Sequence, residues 1–332
     1  MGKRLRIIQM QMQFIDSYKR YRAELDNVES LLSNSVESGN TKLTQSAKQL
    51  LKAGGKRIRP LFALMCSQFG DGMDRQAVYS VAASLEMIHM ASLVHDDVID
   101  DASVRRGKPT VRSTYGDRAA MYTGDFLFAR AIRLMSNVSD LRIHREMSDA
   151  IVRLCEGEID QIRDFYNWEQ NVRNYLRRVE RKTALLISIS CSLGARAGNA
   201  DDETVRRLRR FGYYTGMAFQ ITDDLLDLEG DEQVVGKPVG GDLQQGNLTL
   251  PTLYAGRGEN ARELRTIVRE NMNKTTVLRA VEIIKATGGL QVARDLANRY
   301  LEKALKELET LRPHQAVDDL TTVSNFVNRR AY

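Results

Sequence analysis

Residues 95–101 read HDDVIDD, four carboxylates in seven positions, directly after a stretch containing Leu85, Met87, Ile88, Met90, Leu93 and Val94. On a helix Asp96 and Asp100 share one face, with Asp97 and Asp101 beside them. Like charges at that spacing repel, so folding alone does not select them. A second cluster, FQITDDLLDLEGD, repeats the four-residue spacing with Asp223 and Asp227, again behind an apolar stretch. Two helices facing each other with such pairs would offer hard oxygen ligands, the kind Mg²⁺ prefers alongside water and phosphate oxygens. The bland alternative is two solvated acidic helix ends, and the apolar flanks of both argue against it. Neither cluster fits the calcium-loop pattern.

Cations lie close to both clusters along the chain. GGKRIRP (54–60) sets Lys56, Arg57 and Arg59 between a glycine pair and Pro60, which is read as the first residue of a helix. Arg105 and Arg106 follow the first acidic cluster, Lys182 lies in a helical stretch, and Lys237 sits in the loop after the second cluster. Arg forks and Lys point charges clamp phosphate oxygens. Cations interleaved with metal-binding acids imply a polyanion held partly through metal, and a diphosphate fits. His89, seven residues before Asp96, returns to within about 20° of the same face. Gln220, three residues before Asp223, is near that residue's face. Each has a plain alternative: a surface lysine at 182, a core histidine at 89, a packing glutamine at 220. Arg57 is read as structural or peripheral.

The elements that must carry these residues are helices. Apolar residues recur at spacings of three and four over 43–53, 74–100, 117–136, 141–166, 171–198, 203–228, 261–270, 275–286 and 289–309. No alternating run of useful length signals a strand. Loops are marked by the glycine pair at 54–55, by RRGKP at 105–109 and by EGDEQVVGKPVGGDLQQGN at 229–247. The expectation is an all-α chain forming one domain over 1–332, a single large helical bundle, with 1–20 as a loosely attached N-terminal helix. At 42% hydrophobic and 28% charged residues, the composition is that of an ordinary globular protein. Cys66, Cys155 and Cys191 match no disulfide framework or zinc spacing, and the N-terminus lacks an apolar signal core, so a cytoplasmic location is expected. No apolar run approaches the ~18 residues of a membrane span. The net charge of +6 arises from runs such as RNYLRRVERK and RRLRR, without aromatic interleaving, so nucleic acid is not the expected partner.

Taken together, GGKRIRP, HDDVIDDASVRRGKPT, FQITDDLLDLEGD and GKPVGGD, in that order, resemble the all-trans polyprenyl diphosphate synthases over nearly the whole chain. Stretches such as LEMIHMASLVHDDVIDDA, AMYTGDFLFAR, ERKTALLIS and LQQGNLTLP look most like the catalytic component of the bacterial heptaprenyl enzymes. The resemblance implies an isoprenoid-synthase bundle with a central cavity, joining isopentenyl diphosphate to an allylic diphosphate such as farnesyl diphosphate. It implies two or three Mg²⁺ ions held by Asp96, Asp100 and Asp223, with Asp227, while Asp97, Asp101 and Asp224 act from behind. Arg105, Lys182 and Lys237 would hold the allylic diphosphate; Lys56, Arg59, His89 and Arg106 would hold isopentenyl diphosphate. Thr183 and Gln220 would face the developing cation. It implies a small second subunit, a homodimer or both, a quinone side-chain product, and only transient membrane contact. Asn247 stands where many members carry Lys. A terpene cyclase, or a synthase of shorter or other chain length, is the alternative; a cyclase would not need the second diphosphate site.

Product length is argued from the helix before Asp96. Ser84, Ile88, Ala91 and Ser92, with Val81, fall to one side of Asp96, and their small members would leave a groove for the growing chain. Each added CH₂ buried there favours binding by roughly 0.8 kcal/mol. Close helix packing is the competing explanation of small residues. Phe128, Ile132 and Met135 are expected as the floor, and Ala91→Phe or Ser92→Phe is expected to shorten the product. The resemblance implies about six to eight isoprene units.

Overall fold

The computed structural model describes residues 2–105, 107–229 and 239–328. Among these residues the regular structure is helical apart from one two-stranded antiparallel hairpin, which pairs Val104 with Pro109 and Arg105 with Lys108. In order the helices are α1 (Gly2–Arg20), α2 (Arg22–Ser35), α3 (Thr41–Lys52), α4 (Ile58–Cys66) and α5 (Arg75–Ile99). The hairpin leads to α6 (Val111–Tyr115), α7 (Asp117–Met135), α8 (Leu141–Arg163) and α9 (Val172–Val179). A π-helical turn (Glu180–Ala184) joins α9 to α10 (Leu185–Ala197), and α11 (Asp202–Glu229) follows. The remainder is α12 (Gly241–Gln244), α13 (Leu250–Ala255), α14 (Ala261–Ile267), α15 (Lys274–Lys285), α16 (Gly289–Glu309) and α17 (Gln315–Asn328).

Starts are set by side-chain caps that the sequence supplies. Asn40, Asp74, Asp140 and Asn171 each accept backbone N–H bonds from the first turn of the helix they precede. Pro60 lies two residues later in its helix than expected, since α4 begins at Ile58. Its missing N–H still falls in the first turn, where no intrahelical partner is needed. The α1 helix docks on α17: Phe14 stacks on Phe326 at 4.0 Å, and buried Ser17 donates to Asp319 at 2.8 Å.

Helix α5 runs through the middle of the bundle, against α2, α4, α7 and α10, and α11 packs on α10 and α16. By length and composition α5 alone among the described helices is apolar enough to cross a membrane, yet 78% of its apolar window is buried inside the bundle. It is a core helix. A second apolar cluster gathers α9, the C-terminal half of α11 and α12 to α16. The carboxylate clusters sit at the C-terminal ends of the two longest helices, α5 and α11.

Candidate active site

One face of α5 carries Glu86, His89, Leu93 and Asp96 at spacings of three and four residues, and all four line one cavity of about 620 Å³. Across it, α11 presents Gln220 and Asp223, and the π turn presents Lys182 and Thr183. Lys56 and Arg59 line the same cavity from the start of α4. Its apolar wall is formed by Phe62, Leu154, Leu186, Ile187 and Phe219. Both acidic clusters therefore contribute to one hollow, with a lysine between them.

The π turn sits where two other helices come unusually close. A Cβ on Gly157 of α8 would lie 2.6 Å from Arg181 Cβ, and one on Gly216 of α11 would lie 2.5 Å from Ala184 Cα. Only glycine permits both approaches. The widened turn re-aims the side chains of Lys182 and Thr183 relative to a regular helix, as such bulges do at functional sites. Lys182 Nζ donates to Gln161 Oε1 at 3.1 Å, and Thr183 Oγ1 donates to Gln220 Oε1 at 2.5 Å. Gln220 Nε2 in turn donates to Asp224 Oδ1 at 2.8 Å, while the Tyr175 hydroxyl donates to Asp224 Oδ2 at 2.7 Å. Asp224 is buried and serves to orient Gln220. Asp97, also buried, accepts from Arg105 Nε at 2.7 Å and so fixes that arginine beside Asp96 and Asp100.

Burial disfavours the charged form of the carboxyls in and beside the cavity. Burial, and then Asp100, pushes the Asp96 carboxyl above its usual range against the pull of Lys182. Burial likewise raises Asp100, opposed by Lys182 and Arg105. Glu158 on α8, beside Asp96, is pushed up to about 7, chiefly by burial. Such a set suits divalent cations in charge and donor type. Among the described residues no three acidic, His or Cys side chains close on a single point, so ions held here would keep water or phosphate oxygens as further ligands.

Several expected residues fall elsewhere. Arg106 and Lys237 lie outside the described residues. Asp227 is one turn beyond Asp223, but its two oxygens accept the N–H groups of Gly241 and Asp242 at 3.0 and 3.2 Å. The geometry thus engages Asp227 in holding the first turn of α12 rather than leaving it open; burial raises its carboxyl to about 6. Of the expected groove, only Ser92 reaches the cavity. Ser84, Ile88 and Ala91 are fully packed, and the Ser84 hydroxyl donates to the Ala131 carbonyl at 3.1 Å, so small residues here let α5 approach α7. Ile132, expected in the floor, is 63% exposed, and α4, α8, α10 and α11 supply the apolar wall instead. Glu86, Glu158, Gln161 and Tyr175 were not anticipated. The one available signal was Gly157 beside Glu158 in CEGEID, a glycine inside an otherwise regular helix. Asn247 is buried in an adjoining cavity of about 160 Å³ that shares Lys182, Gln220 and Asp223 with the main one.

Residues 40–284 match the Polyprenyl synthetase family. The chain belongs to that family. It is 44% identical over 321 residues to heptaprenyl diphosphate synthase component 2 of Bacillus subtilis (strain 168), covering 97% of this chain and 92% of the relative. It is 46% identical over 309 residues to the component 2 protein of Geobacillus stearothermophilus, covering 93% and 96%. Among solved structures, heptaprenyl diphosphate synthase from Staphylococcus aureus superposes with a TM-score of 0.87 at 39% identity, over 93% of this chain and 98% of that one. The chain is accordingly a trans-prenyltransferase of the polyprenyl synthetase family, with the helical fold of the isoprenoid synthases.

Proposed function

We propose that this prenyltransferase extends farnesyl diphosphate with isopentenyl diphosphate to all-trans heptaprenyl diphosphate, acting with a small non-catalytic second subunit. The observation that carries the reading is one cavity lined by Asp96, Asp223, Lys182, Lys56 and Arg59. Two opposed carboxylate-bearing helices and two separate sets of cations suit two diphosphates in one hollow. Relatives named as component 2 support the partner subunit.

In this reading two or three Mg²⁺ ions, held by Asp96, Asp100 and Asp223, would supply charge neutralisation for the departing pyrophosphate. The ammonium of Lys182, kept in place by Gln161, faces the same leaving group. Arg105, braced by Asp97, adds a fork for phosphate oxygens. Thr183 and Gln220 present oxygen atoms near the allylic carbon once its bond to oxygen breaks. Their mutual hydrogen bond, backed by Asp224 and Tyr175, holds them away from nucleophilic attack on the cation. Lys56, Arg59 and His89 hold isopentenyl diphosphate across the cavity, with Arg106 and Lys237 as further phosphate ligands. The condensed product loses a proton to the released pyrophosphate. The lipid then leaves the cytoplasmic enzyme for a membrane by transient contact, as a quinone side-chain precursor.

The test is pyrophosphate release from farnesyl plus isopentenyl diphosphate, with chromatography of the product, with and without the second subunit and with Mg²⁺ varied. A C35 product is expected. Release without isopentenyl diphosphate would indicate a cyclase, a product of another length would overturn the heptaprenyl reading, and no release in any combination would overturn both.

A further inference from the structure

We infer that Arg57 is a positioning residue that locks the isopentenyl-diphosphate loop to the helix bearing the first aspartate cluster. This rests on the reading above that Lys56 and Arg59 hold that substrate. Arg57 lies between them at the entrance to α4, with φ 47° and ψ 40°, in the left-handed region. A residue with a Cβ is held there only where its surroundings over-determine it.

The side chain supplies that constraint. It is 8% exposed, and its guanidinium reaches three other helices. Nη1 donates to Glu86 on α5 at 3.0 Å, and Nη2 donates to the Leu51 carbonyl on α3 at 3.3 Å. Nε and Nη2 both engage Glu29 on α2. Glu86 is 4% exposed, so the pair between α4's entrance and α5 is shielded from solvent.

Glu86 belongs to the α5 stripe that continues through His89 to Asp96, and it lines the same cavity. The tether therefore ties the loop to the ruler on which the metal-binding residues are spaced. A buried ion pair contributes little net stability compared with an apolar pair of the same shape, but it specifies geometry. Its consequence here is placement of Lys56 and Arg59 relative to the aspartates. A fork of donors fixes orientation in a way a lysine cannot.

The experiment compares steady-state constants for both substrates, in the chain assayed with its second subunit. Removing Arg57 alone would strand Glu86 as a lone buried charge, so the main variant is Arg57→Gln combined with Glu86→Gln. Its KM for isopentenyl diphosphate is expected to rise about tenfold or more, while KM for farnesyl diphosphate changes by less than about twofold. Arg57→Lys, which keeps the charge without the fork, is expected to give an intermediate rise in the donor KM. It carries the comparison alone if the double variant does not fold, as judged by circular dichroism. An unchanged donor KM in a folded variant, or an equal rise in both constants, would overturn the tether. Lys56→Gln is the control for the underlying reading. If it leaves the donor KM unchanged, or if the wild type consumes no isopentenyl diphosphate, that reading fails instead.

Discussion

Glu158→Gln isolates the cost of burying this carboxylate beside Asp96. Among the described residues no hydrogen bond or ion pair engages this carboxyl, so the isosteric amide removes charge and little else. Burial beside Asp96 raises it from the ordinary 4.5 to about 7. The folded protein thus keeps a proton that the unfolded chain has already released. A raised carboxyl makes its stabilising contribution at low pH and loses it as pH climbs through that interval. At about 1.4 kcal/mol per unit, the wild type forfeits up to about 3 kcal/mol by pH 8. Neighbouring Asp96 and Asp100 share the same protons and the same Lys182, so this is the upper end. Thermal unfolding of metal-free protein should place the variant up to about 4 °C above wild type at pH 8, with the two converging near pH 5. Saturating Mg²⁺ with pyrophosphate should narrow the gap by placing positive charge beside the ionised carboxylates. A variant that melts at or below wild type at pH 8, or a gap independent of pH, would refute the reasoning.

Asp96→Asn and Asp223→Asn should each lower kcat by about 10²-fold or more and shift half-maximal Mg²⁺ upward, measured as pyrophosphate release with the fold checked by circular dichroism. Ser92→Phe should shorten the product by at least one isoprene unit on chromatography, because this residue lines the cavity. Ala91→Phe has no such space and should instead lower stability by about 1–3 kcal/mol in denaturant unfolding. Gly157→Ala puts a methyl 2.6 Å from Arg181 Cβ, so α8 must move off the π turn; kcat should fall more than either KM changes.

The long helices were legible because amphipathic periodicity extends over many turns, and the acidic clusters because no packing requirement explains them. The α4 helix was legible only at its start, through Pro60, since Pro60 to Cys66 are buried without interruption and an all-round apolar run has no period to read. The π turn was hidden for a different reason. One extra residue in the hydrogen-bond ladder leaves the surrounding apolar spacing over 171–198 unbroken. Periodicity also gives a face without saying which way it points, which is why Ile132 seemed a floor residue and is exposed. Single acids on helices, such as Glu86 and Glu158, look like solvated surface until another helix is known to cover them. Arg57 looked peripheral because its three partner helices are set by tertiary structure alone.

Placing both kinds of charge on α5 has a mechanical consequence. His89 and Asp96 are seven residues apart, which a helix converts to about 10.5 Å along its axis. Glu86, which holds the basic loop, lies ten residues and about 15 Å from Asp96, so in the proposed reading a single rigid element sets the separation of the two diphosphate sites. The same cavity is lined by Phe62, Leu154, Leu186, Ile187 and Phe219, an apolar surface suited to a hydrocarbon tail. In the proposed reaction each further condensation requires that pyrophosphate leave, that the lengthened product carry its donor-derived diphosphate across to the allylic site, and that the tail advance. In the proposed reading, chain length is then a property of the apolar wall, and the chemistry a property of the helix ends.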